Sequence, residues 1–233
     1  MLNKDLMPQN VSANVTPLIV QVDTSGSMSG EPIEEVRKGL TAFSQALKND
    51  EKAVATVRLQ VVTYNDDVQT LFNEFLPVND ENFQSFIENI NANGSTSMFK
   101  AFEKSLNLFT EYKKSLSEQG VNYYRPIYVH LTDGYPTDVS SNERGRWESI
   151  RSRLRNSRQS KEFIPFCFAT RTADLEFLNW LYPEGHVFLI ENNRYDSVFQ
   201  WLSNSMSAVS RATGRSVTIE NPTVYEGITL PIY

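Results

Sequence analysis

The sequence is poor in the residues that most often carry reactive chemistry. Its 233 residues include one cysteine, Cys167, and two histidines, His130 and His186. A single cysteine excludes an internal disulfide, and the two histidines suggest no Ser-His-Asp arrangement. Cys167 lies in the apolar run 163–168, which favours an inert buried thiol over a nucleophile. His130 falls inside a strand pattern and His186 at the start of one, and both are interpreted as core residues or as edge residues with satisfied hydrogen bonds.

Long hydrophobic runs and an excess of positive charge are also missing. No stretch approaches the roughly 18 apolar residues that a membrane-spanning helix needs, and the polar residues 1–16 lack the apolar core of a signal peptide. We therefore expect a cytoplasmic protein without a membrane partner. The 22 Lys and Arg against 28 Asp and Glu residues give a net charge of −6, which argues against nucleic acid as a partner.

One segment is basic, although the chain as a whole has a net negative charge. Between residues 143 and 162 the sequence carries a stripe of basic side chains: Arg144, Arg146, Arg151, Arg153, Arg155, Arg158 and Lys161. The spacing favours a solvated helix face around buried Trp147, Ile150 and Leu154. An acidic partner that binds the stripe is the alternative.

Strand and helix patterns alternate along the chain. The predicted strands are 18–22, 56–64, 68–75, 127–131, 163–169 and 187–190; the predicted helices are 33–48, 81–90, 97–116, 147–156, 173–181 and 197–210. The alternation predicts an α/β fold with three layers: a doubly wound, mainly parallel sheet between helices, with strand 68–75 as one antiparallel edge.

The chain is long enough for one α/β domain with a substantial core, since 40% of its residues are hydrophobic. We expect an N-terminal arm at 1–16, the domain at 17–210 and a C-terminal extension at 211–233. The extension is expected to pack on the domain as an extended arm, and docking of a partner is its alternative role.

A carboxylate and two hydroxyls alternate where the first predicted strand ends. Asp23, Ser25 and Ser27 occupy every second position after the apolar residues 18–22. Because a strand projects alternate side chains to one side, these short oxygen ligands can converge on one hard cation as the chain leaves the sheet. Oxygen ligands predict Mg²⁺, with Mn²⁺ or Ca²⁺ as alternatives.

Two further segments supply candidate ligands at the same edge of the sheet. Asp133 follows strand 127–131, and Thr96 precedes helix 97–116. Ligands of open α/β sheets bind beyond the carboxyl ends of the strands, where Asp23 and Asp133 both fall. Turns also favour Asp and Ser, so the first motif alone is compatible with a capped turn. The second carboxylate favours a metal site.

The five candidate ligands together resemble the metal-ion-dependent adhesion site (MIDAS) of von Willebrand factor A (VWA) domains, which that family writes as D-x-S-x-S, then Thr, then Asp. They are Asp23, Ser25, Ser27, Thr96 and Asp133. The family commonly has a glycine-rich turn before its Thr, whereas here Gly94 is followed by Ser95. The resemblance implies a cation to which one or both carboxylates bind through water, and a protein partner whose Asp or Glu completes its coordination.

Four phrases narrow the resemblance to the bacterial, tellurium-resistance-associated TerY-type VWA proteins. These phrases are Asp23–Ile33, Tyr123–Pro126, Leu131–Asp138 and Phe199–Ser210. The resemblance implies work beside kinase-like and phosphatase proteins in a stress or tellurium-resistance system.

The sequence thus predicts a metal-dependent protein-binding module that catalyses nothing itself. The alternative is a metal-dependent phosphatase-like hydrolase with Asp23 as nucleophile. A nucleophile strand of the haloacid-dehalogenase type needs a second Asp two residues later, and Ser25 stands there. Asp138 is interpreted first as a turn residue and otherwise as one that orients the site loop.

Overall fold

Strands and helices alternate over the part of the chain that the computed structural model describes, residues 14–191, 194–214, 216–221 and 227–231. The strands are β1 (Thr16–Asp23), β2 (Val57–Tyr64), β3 (Val68–Thr70), β4 (Leu76–Pro77), β5 (Ile127–Thr132), β6 (Ile164–Thr170), β7 (Val187–Ile190), β8 (Ser216–Glu220) and β9 (Gly227–Pro231). The helices are α1 (Glu31–Lys48), α2 (Glu51–Thr56), α3 (Phe83–Glu88), α4 (Met98–Glu118), α5 (Arg144–Ser160), α6 (Leu175–Leu181) and α7 (Tyr195–Ser210). Residues 1–13 of the expected N-terminal arm lie outside the described residues.

Seven strands form one sheet in the order β3-β2-β1-β5-β6-β7, with β4 beside β2. Strands β2, β1, β5, β6 and β7 run parallel, and β3 and β4 pair with β2 in the antiparallel sense. The chain leaves β1 toward β2 on one side and leaves β5 toward β6 on the other. The sheet therefore has its topological switch point between β1 and β5, where open α/β sheets bind ligands. The predicted fold class is confirmed.

Helices cover both faces of the sheet because the central strands are apolar on both sides. Helices α1, α3 and α7 pack against the face that carries Leu18, Val20 and Val22. Helices α4, α5 and α6 pack against the opposite face, which carries Ile19 and Tyr128. None of the helices in the described ranges is long and apolar enough to cross a membrane.

The antiparallel edge differs from the predicted strand 68–75. Pairing with β2 stops after Thr70, and a second short strand, Leu76–Pro77, pairs near the start of β2. Between the two, the side-chain amide of Gln60 donates to the carbonyl oxygen of Phe72 at 2.9 Å, and the Phe72 ring is buried. Burial of this ring turns the backbone away from the ladder and splits the edge in two.

A short helix, α2, replaces the predicted start of the second strand at Thr56. The carboxylate of Asp50 accepts hydrogen bonds from the backbone N–H groups of Lys52 and Ala53 at 3.2 and 3.3 Å. An Asp in this position caps a helix, because it satisfies N–H groups that have no partner within the first turn. The strand therefore begins one residue later, at Val57.

After α7 the chain forms an antiparallel hairpin of β8 and β9 instead of a single extended arm. The indole N–H of Trp201 donates to the carbonyl oxygen of Glu220 at 2.7 Å, and Ile219 is buried against the core. Residues 222–226 and the side chains of β9, with the expected apolar contacts of the extension, lie outside what is described.

We predict that Gly39→Ala destabilises the protein, although alanine is about 1 kcal/mol more favourable than glycine in the interior of a helix. A Cβ at Gly39 would lie 2.1 Å from Cδ2 of buried Phe199, which packs α7 against α1. Overpacking of this kind costs about 1–3 kcal/mol, measurable by urea denaturation. Gly145→Ala, also in a helix but with no atom within 4 Å of its Cβ, is the control and should not destabilise. Equal effects would contradict the packing argument.

Candidate functional site

The carboxyl ends of β1 and β5 bring two acidic residues together at the switch point. Val22 pairs with Leu131 across these neighbouring strands, so Asp23 lies level with Thr132, and Asp133 is the next residue. Asp23 is fully buried and Asp133 is 8% exposed. Two segments more than 100 residues apart thus supply carboxylates to one edge of the sheet.

All five predicted site residues meet at this edge. The Ser27 hydroxyl donates to Oδ1 of Asp133 at 2.8 Å, and the hydroxyls of Ser25 and Ser27 lie 3.2 Å apart. A Cβ at Gly134 would lie 3.7 Å from Oδ2 of Asp23, 3.8 Å from Oγ1 of Thr96 and 3.9 Å from Oγ of Ser27. Oxygen atoms from two other segments, the one after β1 and the Thr96 loop, therefore surround Gly134.

The loop that carries Thr96 is held from two sides. Thr96 and Thr137 exchange two hydrogen bonds: the Thr96 N–H donates to the Thr137 hydroxyl, and the Thr137 N–H donates to the Thr96 carbonyl oxygen, each at 2.9 Å. The Gly26 N–H donates to the carbonyl oxygen of Gly94 at 3.0 Å. These bonds tie the Thr96 loop to the loops after β5 and β1.

Asp138 has a role that the sequence interpretation missed. Its carboxylate accepts hydrogen bonds from the N–H groups of Phe99 at 3.2 Å and Lys100 at 3.0 Å. These groups belong to the first turn of α4, which starts just after Thr96, so Asp138 caps that helix from a distant loop. A cap about 40 residues from its helix leaves no local pattern in the sequence.

Burial dominates the electrostatics of both carboxylates. Removal from water raises the pKa of Asp23 to about 6, although hydrogen bonds from Ser25 and Thr132 act in the opposite direction. Burial also raises the pKa of Asp133, and the Ser27 hydroxyl opposes this shift. Among the ion pairs of the described residues, none includes either carboxylate. Two buried carboxylates thus lie side by side without a cationic side chain, an arrangement that disfavours their charged forms.

Two residues that hold Asp23 were absent from the sequence interpretation. Oδ2 of Asp23 accepts hydrogen bonds from the hydroxyls of Thr132 at 2.8 Å and Tyr64 at 3.2 Å, and Oδ1 accepts from the Ser25 N–H at 3.0 Å. Tyr64 is the β2 residue paired with Asp23. Its role follows from the strand register, which the sequence alone does not give.

The donor set fits a hard divalent cation. Two carboxylates and three hydroxyls offer oxygen atoms only, as Mg²⁺, Mn²⁺ and Ca²⁺ prefer. No cluster of three or more His, Cys, Asp and Glu side chains occurs within the described ranges, so a soft-metal site of that kind is not found there. The nucleophile interpretation of Asp23 is disfavoured, because its fully buried carboxyl group is already occupied by three donors.

Two of the residues set aside from chemistry are buried as predicted, whereas His186 is only partly buried and its Nδ1 lies 2.6 Å from the carbonyl oxygen of Pro165. His130 and Cys167 are fully buried, and burial lowers the pKa of His130 to about 3 and raises that of the Cys167 thiol. Trp147, Ile150 and Leu154 of the basic stripe are also buried. Several of its arginines have local partners; Arg151 donates to the carbonyl oxygen of Trp180 at 3.1 Å, for example.

A cleft of about 560 Å³ opens beside the site. Its lining includes Ser27 and Asp133 of the site together with Arg171 and Glu191, which form an exposed ion pair. Tyr135, two residues after Asp133, is 57% exposed. The cleft therefore gives the exposed side of the site a concave surface, and the loop that follows Asp133 carries an exposed aromatic side chain.

Comparison with known protein families matches residues 18–200 to the von Willebrand factor type A domain. The inter-alpha-trypsin inhibitor heavy chain H3 of Mus musculus is 24% identical over 184 residues, 77% of this chain and 19% of that protein. The same protein of Bos taurus is 24% identical over 155 residues, 64% of this chain and 16% of that protein. The chain thus spans less than a fifth of these curated relatives.

Solved structures share the fold at low identity. The vWF domain of the type V pili tip protein Mfa5 from Porphyromonas gingivalis has a TM-score of 0.64 and 10% identity, covering 87% of this chain and 98% of that one. The pilus adhesin SpaC from Lactobacillus rhamnosus GG has a TM-score of 0.65 and 10% identity, covering 87% and 31%. Proximal thread matrix protein 1 from the mussel byssus, in a structure with a zinc-occupied MIDAS motif, has a TM-score of 0.54 and 12% identity, covering 85% and 46%.

We predict that Gly94→Ala lowers the free energy of unfolding more than Gly120→Ala does. Both glycines have positive φ, +71° and +69°, so both variants carry similar backbone strain. Only at Gly94 would the new Cβ meet a neighbour, the carboxylate of Asp66 at 2.4 Å. That carboxylate accepts from the Ser95 N–H at 2.8 Å, and its displacement adds about 1 kcal/mol. Urea denaturation measures the difference, and equal losses would refute a structural role for this contact.

Proposed function

Because the chain belongs to the von Willebrand factor type A domain family, we propose that it binds a divalent cation and, through that cation, a protein partner. The proposed ligands are Asp23, Ser25, Ser27, Thr96 and Asp133. The supporting observation is that two buried carboxylates, without a cationic side chain paired to them, lie among three hydroxyl groups. A divalent cation would supply the missing positive charge.

The roles of the ligands follow from their chemistry and positions. Asp23 and Asp133 bring two negative charges, whereas the hydroxyls of Ser25, Ser27 and Thr96 add oxygen ligands without further charge. The Ser27 hydroxyl holds Asp133 at 2.8 Å, so the orientation of this carboxylate is already fixed. We propose Mg²⁺ as the resident cation, with Mn²⁺ and Ca²⁺ as alternatives, because every ligand is a hard oxygen atom.

We propose that the partner contributes an Asp or Glu side chain. When bound, the cation would offer a coordination position that such a carboxylate can fill. The adjacent cleft of about 560 Å³ gives a partner segment a concave surface. Tyr135, 57% exposed, is an aromatic side chain of the kind that contributes strongly to interfaces.

We further propose that the chain itself catalyses no reaction. Asp23, the one nucleophile considered for a phosphatase-like hydrolase, is fully buried and accepts three hydrogen bonds. The resemblance to TerY-type proteins supports action beside kinase-like and phosphatase partners in a bacterial stress or tellurium-resistance system. The single, buried cysteine is compatible with the proposed cytoplasmic location.

We predict that Asp23→Ala abolishes Mg²⁺ and Mn²⁺ binding while the protein stays folded. The change removes one of two charged ligands and relieves the burial of an unpaired charge, so cation affinity falls without a comparable loss of stability. Isothermal titration calorimetry measures the affinity, and circular dichroism monitors the fold. Asp196→Ala, which removes an exposed Asp on α7, is the control. Unchanged affinity in folded Asp23→Ala and Asp133→Ala would refute the metal site.

We predict that the complex with the partner dissociates in EDTA and re-forms when Mg²⁺ or Mn²⁺ is added. Partners that co-purify with the tagged protein in Mg²⁺ are identified by mass spectrometry, and each Asp or Glu in the contacting segment is replaced by Ala. Truncation of one member of a desolvated charged contact costs about 2–5 kcal/mol, so one such replacement should weaken binding at least tens-fold.

Thr96→Ala should weaken partner binding more than cation binding.

Two results would contradict this function. A complex that survives EDTA but dissociates in the variant Arg151→Ala, Arg155→Ala, Arg158→Ala would move the interface to the basic stripe. Metal-dependent phosphoester turnover by the isolated chain, lost in Asp23→Asn, would favour the hydrolase.

A further inference from the structure

A chain of buried hydrogen bonds extends from Asp23 into the core. The Tyr64 hydroxyl lies 3.2 Å from Oδ2 of Asp23 and 2.7 Å from Nε2 of His130. On the other side of the His130 ring, Nδ1 lies 3.1 Å from the Tyr182 hydroxyl. All four side chains are fully buried. They come from β1, β2, β5 and the residue that follows α6.

The donors and acceptors of this chain can be assigned in one direction. An ionised carboxylate only accepts hydrogen bonds, so Tyr64 donates its single hydroxyl proton to Asp23. The Tyr64 oxygen must then accept from Nε2–H of His130. Burial keeps His130 neutral, with a pKa of about 3, so Nδ1 carries no proton and accepts from the Tyr182 hydroxyl at 3.1 Å, with the Cys167 thiol 3.8 Å from the same nitrogen. The position of the proton on each group therefore determines the position of the proton on the next group.

Simple packing does not explain why these core positions are polar. Apolar and aromatic side chains fill most of the face of the sheet under α4, beside one buried hydrogen bond from the Ser105 hydroxyl to Gln21; Phe102, for example, packs against His130 at a ring-centroid distance of 5.1 Å. Burial of hydroxyl and imidazole groups is unfavourable unless every partner is satisfied. A phenylalanine at position 64 or 182 would fill nearly the same volume without that requirement. Instead, the polar atoms of Tyr64, His130 and Tyr182 form one continuous series of contacts that ends at Asp23.

We propose that Tyr64, held by His130 and Tyr182, is a positioning residue that fixes the Asp23 carboxylate for cation binding. This inference rests on the proposed function. Together with Thr132, Tyr64 occupies Oδ2, the Asp23 oxygen that faces the space beside Gly134. Residues that orient metal ligands in this way typically change metal affinity by about 10–100-fold when they are mutated.

The test compares Tyr64→Phe with Tyr128→Phe. Tyr128 is equally buried on the same face of the sheet. Its hydroxyl hydrogen-bonds neither Asp23 nor His130, although it interacts with the Tyr182 hydroxyl, at the end of the hydrogen-bond chain remote from Asp23. Mn²⁺ and Mg²⁺ affinities are measured by calorimetry, and melting temperatures are measured in EDTA. Tyr64→Phe should weaken cation binding about ten-fold, whereas Tyr128→Phe should leave it unchanged. Tyr182→Phe is the second variant. Tyr182 lies at the end of the hydrogen-bond chain that is remote from Asp23, so this change should weaken cation binding less than Tyr64→Phe does.

The double variant Tyr64→Phe, His130→Gln tests whether His130 acts through Tyr64. If it does, the double variant binds the cation no more weakly than Tyr64→Phe alone. A nitrogen-15 NMR spectrum of the imidazole adds a readout without metal, and we expect neutral His130 with its proton on Nε2. A proton on Nδ1 would overturn the proposed direction.

The outcomes separate this inference from the function on which it rests. A wild-type chain that binds neither cation refutes the proposed function and this inference with it. A wild-type chain that binds, with Tyr64→Phe and Tyr182→Phe unchanged in affinity, refutes the positioning role and leaves the metal site intact. Equal losses of affinity in Tyr64→Phe and Tyr128→Phe would reduce the effect to core packing and also overturn the inference.

Discussion

The main physical constraint on this structure is the burial of two carboxylates that have no cationic side chain paired with them. Asp23 and Asp133 are both buried, and burial raises the pKa of each. Such groups are stable in a folded protein only when hydrogen bonds or a cation compensate the lost hydration. The surrounding architecture provides hydrogen bonds to both groups, from strand ends and from loops. A bound divalent cation, as proposed, would provide the remaining compensation.

The sheet and the loops position the candidate ligands in different ways. Parallel pairing of β1 with β2 and β5 aligns Asp23 with Tyr64 and Thr132, whose hydroxyls reach one of its oxygens. The loops add what strands cannot, since Thr96 and Thr137 exchange hydrogen bonds that join two distant segments over the site. Rigid elements thus fix Asp23, and mutual loop contacts fix Thr96. Contacts within the chain therefore position both candidate ligands.

The sequence predicted those parts of the fold that depend on local patterns. Apolar strands alternating with amphipathic helices were enough for the parallel sheet, and oxygen-bearing side chains after two strands were enough for Asp23 and Asp133. Contacts that depend on register were not predictable. Tyr64 looks like any β-strand aromatic residue until its pairing with Asp23 is known. Asp138 likewise lies far in sequence from α4, the helix that it caps.

The edge of the sheet shows the same limit on a smaller scale. An uninterrupted β-prone run predicted one strand at 68–75, but burial of Phe72 and the Gln60 amide bond to its carbonyl oxygen interrupt the pairing. Strand propensity depends on residues close in sequence, so it does not account for a contact between the neighbouring strand and this run. The short helix after Asp50 is different, because an Asp followed by helix-compatible residues is a local capping signal that could have been recognised.

The division between the buried and the exposed half of the site bears on the proposed function. Three donors reach Asp23, so part of its negative charge is already balanced by protein dipoles. Asp133 has the Ser27 hydroxyl as its side-chain donor and lines the open cleft. Under the proposed function, the buried carboxylate is the weaker source of charge for the cation, which leaves attraction for a third carboxylate on the open side. The hydrogen bonds that hold Asp23 deep in the sheet would then also favour binding of an acidic partner at the surface.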